Sequence, residues 1–292
     1  MAVTSPSAPK TAMPEARLHE YRDAQARLPY WARSTNPIVR RHLGLYWRTV
    51  PPEVEPFIWM MAVWVVFMGI GILIPPILSI TMITFLASVM IIPVALVFYG
   101  HVLVTVATDA SRSMQQEFAN DTFELLQASP MTLPQIVLGK VAAAIWKRMD
   151  DLVMIAQLAV VFSVPMYYAF FTAVWGDGGV ISPLMAIIGM VVILVRVILE
   201  PIMIGVVSVF IGIVVPGRGR SIAAALVVGS FYFMLINLLS QLPAVRGFDT
   251  PEGPVPPNQI LVILTDLVLP IVLPLLIIVG VLKLSEYILQ RD

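Results

Sequence analysis

SPLMAIIGMVVILVRVILEPIMIGVVSVFIGIVV, residues 182–215, contains only two charged side chains, Arg196 and Glu200. A helix needs about 20 apolar residues to cross a hydrocarbon core, so this segment is long enough with turns to spare. Transmembrane β-strands would instead alternate over about ten residues, and nothing here alternates. Glycine marks both ends, in Gly176-Asp177-Gly178-Gly179 before the run and Pro216-Gly217-Arg218-Gly219-Arg220 after it. Both are turn chemistry between helices.

Working outward from this run, five further apolar segments appear, giving spans at about 57–74, 77–107, 152–175, 182–215, 221–243 and 259–288. Pro75-Pro76 separates the first two. A polar stretch, 108–150, separates the second and third, and a proline-rich loop from Leu242 to Asn258 precedes the last. The expected fold is an all-α polytopic membrane protein of six transmembrane helices, with residues 56–292 as its membrane domain. Composition agrees. Of 292 residues, 59% are hydrophobic and 12% charged, about half the charge of a soluble domain. A cytosolic enzyme and a secreted disulfide scaffold are excluded. Zero cysteines exclude thiolate metal sites and thiol catalysis.

Net charge is zero, but placement is informative. With the N-terminus inside, sixteen of the eighteen Lys/Arg fall on the inner side and only Arg246 on the outer, Arg196 lying within a span. That bias puts both termini in the cytoplasm. Residues 1–35, which lack any long apolar run, are expected to form a disordered polar tail.

Two cytoplasmic elements are not spans. Within 36–55, the stretch IVRRHLGLYWR (38–48) follows Asn36-Pro37, a cap and a first helical position. Ile38, Val39, His42 and Leu43 share one face and Arg40, Arg41 and Arg48 the other, with Tyr46 and Trp47 near the boundary. This predicts a basic amphipathic helix lying in the headgroup layer; packing on a soluble partner is the alternative. The second element runs from Asp109 to Asp151. Met114, Phe118, Leu125 and Leu126 recur at helical spacing and predict a helix that stops at Ser129-Pro130. Thr132-Leu133-Pro134-Gln135 then opens a second helix with a capping box.

The segment TFELLQASPMTLPQIVLGK (122–140) resembles the signature segment of type-2 ABC exporter permeases, and Asn36 to Arg41 resembles that family's interfacial helix. The matching residues are Glu117, Thr122, Glu124, Leu125, Leu126, Ser129, Pro130, Ile136, Val137, Leu138, Gly139 and Lys140. Specific matches cover about 30 residues, whereas the shared topology runs from about residue 36 to 292. Asn120-Asp121 and Phe123 depart from the more basic or glycine-bearing stretch common in the family. The resemblance implies a coupling hairpin that docks on a separate nucleotide-binding ATPase subunit, a second permease copy forming a homo- or heterodimer, and a prokaryotic plasma membrane. ATP and Mg would be bound by that partner. The sequence itself has no G-x-x-x-x-G-K-[ST]; Pro134 stands where the loop before Gly139-Lys140 needs its first glycine. No cofactor is expected on this chain.

Within the membrane, Arg196 and Glu200 are four residues apart and share a helix face. Charges there must face protein, a partner or water, so they read either as a gate or substrate-path element or as a self-neutralised pair locking helices. Asp266, in the sixth span, is a candidate third member. Asp150 and Asp151 lie beside Lys147 and Arg148 as an interfacial charge cluster, and His19, His42 and His101 are scattered, so no metal site is expected. No nucleophile–base arrangement is visible, and no catalytic residue is nominated. The expected function is the permease subunit of an ATP-driven exporter, with membrane lipids as partners and nucleic acid not among them. A non-transporting assembly subunit with the same fold is the alternative, and a lipid-processing membrane enzyme a third class.

Overall fold

The computed structural model describes residues 25–43, 55–176, 180–239, 242, 248–250, 253–255 and 258–289. Among them, six helices are long and apolar enough to cross a membrane. They are Glu55–Leu73, Ile80–Ala119, Met149–Trp175, Ile181–Val214, Arg218–Leu239 and a last one that starts at Gln259, passes through a π-helical turn at Leu264–Val268 and ends at Leu289. We call them spans one to six.

Span four is the axis of the fold. It is the most buried of the six and packs against spans one, two, three, five and six. Close approach needs small residues at the crossings. A Cβ on Gly205 would lie 2.5 Å from Val141 Cγ1, so only glycine lets the helix Leu133–Trp146 pack this tightly against span four. Val106, Ala110, Val141, Val206 and Val209 form the centre of the main core. Span one is held in a second cluster, where Met68 meets Val160, Val164, Ala186 and Met190.

The outer surface is apolar. On span two, Ile83, Leu86, Met90 and Val97 are each 70% exposed or more and recur along one stripe. Contiguous apolar surface of that kind suits lipid rather than water. Span four continues through Pro201, and spans two and three through Pro93 and Pro165. Tightly packed neighbours allow such missing backbone donors within a membrane.

Two expectations need correction and a third reading needs detail. Span two does not end near residue 107. It runs as one helix of 40 residues to Ala119, and the break falls at Asn120-Asp121 rather than at Ser129-Pro130. Asp121 takes a left-handed φ of 51°, a conformation that Asp tolerates better than most residues. Only the short helix Phe123–Gln127 precedes Ser129. Next, order begins before residue 36. The Trp146 indole donates to Ala32 O at 2.7 Å, Ser34 N donates to Gln25 Oε1 at 2.9 Å, and a 3-10 turn forms at Tyr30–Ala32. The anchor is a tryptophan more than a hundred residues away, which local composition does not reveal. Lastly, the stretch before span six, read above only as a proline-rich loop, carries a small antiparallel ribbon, Phe248–Thr250 with Gly253–Val255.

The turns fall where glycine was read. Gly176 ends span three at φ 87°, and Gly217 lies between spans four and five at φ 92°. Gln115 of span two donates its Nε2 to Gly212 O at 2.6 Å and Val215 O at 3.0 Å, covering carbonyls that a helix C-terminus leaves open.

Candidate functional site

Two assemblies of polar side chains stand out, one at the hairpin end of the bundle and one inside it. The first is built by three segments. Asn36 caps the helix Pro37–Leu43 through Ile38 N to Asn36 Oδ1 at 2.9 Å. Thr132 and Gln135 form the expected capping box on Leu133–Trp146. These two helices pack face to face: Val39 and Leu43 bury against Ala142, Ala143 and Trp146, and Ile38 covers Gly139. The apolar face expected to lie in the headgroup layer is therefore covered by this chain's own hairpin. The reason is the run of small residues, Gly139 and Ala142 to Ala144, which leaves a groove just where Ile38, Val39 and Leu43 project. Arg40 and Arg41 remain exposed. Tyr46, Trp47 and Arg48 lie outside the described residues.

Along the seam runs a buried charge network. Lys140 Nζ is 3.0 Å from Glu117 Oε1, 3.1 Å from Ser113 O and 3.2 Å from His42 Nε2. Arg41 Nη1 stands 3.5 Å from Glu117 Oε2. Thr122 donates both its backbone N, to Glu117 O at 3.0 Å, and its hydroxyl, to the Glu117 carboxylate. Glu117 and Lys140 are almost wholly buried. Burial, reinforced by the Lys140 charge, pushes the His42 imidazole down to about 4. His42 is thus a neutral member of the network near pH 7, and Glu117 balances Lys140.

This divides the coupling residues nominated from sequence into two sets. Glu117, Ile136, Gly139 and Lys140 are interior, and Thr122, Leu126 and Ser129 are half-buried. Glu124, Leu125 and Pro130 are exposed; Leu125 keeps 72% of its surface open, and Phe118 a further 37%. The interior set fixes the hairpin to the end of span two. The exposed set is what the hairpin presents outward.

The second assembly surrounds Glu200, which is wholly buried near the middle of span four. Arg196 donates Nε and Nη2 to Glu200 Oε1 at 2.9 and 2.8 Å. The Tyr99 hydroxyl from span two donates to Oε2 at 2.8 Å, and the Tyr232 hydroxyl from span five to Oε1 at 3.1 Å. One carboxylate thus ties three spans together. Sequence reading found Arg196 and Glu200 by their spacing but missed both tyrosines. The available signal was a lone tyrosine inside an apolar span when another span carries a charge. Asp266, the third candidate, lies in the π-helical turn of span six, with Thr265 Oγ1 3.5 Å from its Oδ1.

Beside this cluster, spans two to five line a half-open cavity of about 120 Å³. Its polar lining is Tyr99, Ser163, Arg196 and Asn237, and the rest is aliphatic and aromatic.

Comparison of the chain with protein-family models, curated proteins and solved structures gives no match.

Proposed function

We propose that this chain is the permease subunit of an ATP-driven exporter similar to type-2 ABC permeases. It works in the plasma membrane with both termini in the cytoplasm, beside a second permease copy and two separate ATPase subunits. The observation that carries this reading is the hairpin between spans two and three. Its tip exposes Leu125, Phe118, Glu124 and Pro130, while its base is fixed by the buried Glu117–Lys140 pair. An exposed apolar patch with an acidic residue suits a docked protein partner. The helix Leu133–Trp146 leads almost directly into span three, and span two runs unbroken into the tip. A push on the tip is therefore delivered to two spans through rigid helices rather than a loose loop. ATP binding and hydrolysis belong to the partner in this scheme, and the chain performs no covalent chemistry.

The experiment is affinity purification of the tagged chain in mild detergent, followed by mass spectrometry of the proteins that copurify. A stoichiometric ATPase that is lost when Leu125 is replaced by arginine supports the reading. Other membrane proteins in fixed ratio, with no ATPase even under nucleotide trapping, overturn it and leave an assembly subunit.

A further inference from the structure

His101 lies where an ionisable side chain is least expected. Along span two, Met90, Val94, Val97, His101 and Val104 recur at alternating steps of four and three residues, and all five are exposed. The stripe is apolar except at His101. Its depth follows from its neighbours on the same helix. Asp109 pairs with Lys147 just before Asp150 and Asp151 open span three, so these charges mark the edge of the hydrocarbon. Eight residues of helix put His101 about 12 Å inside that edge, two residues from the Tyr99 that reaches Glu200. An imidazole is too short to reach the head groups from there. Neither polar assembly described above includes His101, and it stands on the outside of the bundle.

Hydrocarbon does not suit such a group, because ionisable residues within a membrane face protein or a water-filled cavity. The stripe and the imidazole together say which protein. Alternating steps of four and three give a period of about 3.5 residues, the seam along which two parallel helices stay in contact as they coil left-handed. A single polar residue in such a seam fixes its register. Here that residue can pair with its own kind. A neutral imidazole has one N–H donor and one nitrogen acceptor, so two facing imidazoles make an N–H···N bond with nothing else supplied. A twofold axis brings the same residue of two chains together. There is also room for a close neighbour. A Cβ on Gly100 would meet nothing, and an open groove of about 170 Å³, lined by Gly100, Val104 and Ser230 among others, runs beside the stripe between spans two and five.

We infer that the His101 face of span two is the contact surface for a second copy of this chain, the two spans packing in parallel with His101 bonded to the partner's His101. The inference gives a place to the second permease copy of the export reading, and it rests on that reading for what the dimer does. The pairing itself needs no ATPase.

The test uses the full chain in membrane vesicles, expressed without any ATPase. The chain has no cysteine, so single introduced thiols report contact directly, and a disulfide forms only where two Cα atoms come within about 7 Å. His101→Cys, Val97→Cys and Val104→Cys should each give a crosslinked dimer on mild oxidation. Phe231→Cys, on the outward face of span five, should stay monomeric. A second measurement follows dissociation by energy transfer between labelled chains as lipid is added. His101→Leu should weaken pairing about threefold, as loss of one hydrogen bond between membrane helices does. His101→Gln keeps a donor and an acceptor and should pair as the wild type does. No dimer through the span-two thiols, an equal yield from Phe231→Cys, or a His101→Leu chain that pairs like the wild type overturns the proposal. Crosslinking through span two with no ATPase in the pulldown keeps this contact and removes the export reading. An ATPase captured without such crosslinking removes the contact alone.

Discussion

Lys140 and Glu117 form an ion pair of 3.0 Å with both side chains out of solvent, joining the hairpin's second helix to the far end of span two. Desolvating two charges is expensive, and their attraction repays it only when every remaining lone pair and proton is satisfied. Here they are: Lys140 also donates to Ser113 O, and Glu117 also accepts from Thr122. Removing one partner leaves the other charge buried alone. Lys140→Met should lower the stability of the hairpin by about 3–5 kcal/mol, read as earlier proteolysis between residues 120 and 132 in detergent. The double variant Lys140→Met with Glu117→Gln should recover most of the loss. A single variant as resistant as the wild type would refute the buried-latch role.

His42 makes the same seam sensitive to acid. Its ordinary value of 6.5 falls to about 4 in the folded chain because burial, then Lys140, disfavour the imidazolium. Arg41 and Lys147 act in the same direction, and Glu117 opposes them. The detached helix binds more protons than the docked one between these two values, so docking is at full strength above about pH 6.5 and weakens as pH falls towards 4. The loss is at most about 3 kcal/mol. Limited proteolysis of residues 25–43 across this range should show progressive release. His42→Gln should flatten the profile below pH 6.5.

Much of the fold was legible because it rests on local rules. Span lengths follow from hydropathy, the Asn36 cap and the Thr132 capping box from residue identity, and the Arg196–Glu200 pair from one helical turn of spacing. What escaped depends on partners distant in the chain. Trp146 orders residues 25–35, and the hairpin groove takes the face of Pro37–Leu43 that was assigned to lipid. Glu117 and Lys140 were named only through the resemblance, as residues of the coupling hairpin and not as a pair. Spacing of 23 residues across a turn gives no hint that they meet. The break at Asp121 was hidden because Pro130 is the stronger sequence signal, although the Thr122–Glu117 contacts already close the turn upstream.

The tyrosines on Glu200 should be separable by substitution. Tyr99→Phe and Tyr232→Phe each remove one donor from a buried carboxylate, and each should cost about 1.5–3 kcal/mol as charge-assisted bonds do. Because both act on one group, the double variant should differ from the sum. Thermal unfolding in a fixed detergent measures the three variants against the wild type. Strict additivity would mean that the two hydroxyls do not share Glu200.

Gly205 predicts a compensating pair. Alanine there would place its Cβ 2.5 Å from Val141 Cγ1, a contact that forces span four and the helix Leu133–Trp146 apart. Overpacking of this kind costs about 1–3 kcal/mol. Gly205→Ala should therefore destabilise the protein, and Val141→Ala added to it should restore part of the loss. If Gly205→Ala alone is neutral, the crossing is looser than described.

Glu124 separates docking from folding. It is exposed at the hairpin tip beside Leu125, outside the Glu117–Lys140 network. Substitutions away from buried networks usually change stability by about 0.5 kcal/mol or less, so Glu124→Lys should leave unfolding and proteolysis as in the wild type. A charge reversal at the rim of a protein contact acts instead on partner association and its salt dependence. On the export reading, Glu124→Lys should weaken capture of the ATPase subunit and blunt stimulation of its activity. Lys140→Met should do so only by loosening the hairpin, and the Glu117→Gln exchange should rescue it. Glu124→Lys has no such partner within the chain, so the same exchange should not rescue it. Unchanged capture and stimulation in Glu124→Lys would remove this residue from the contact, and rescue by Glu117→Gln would show that it acts through the fold.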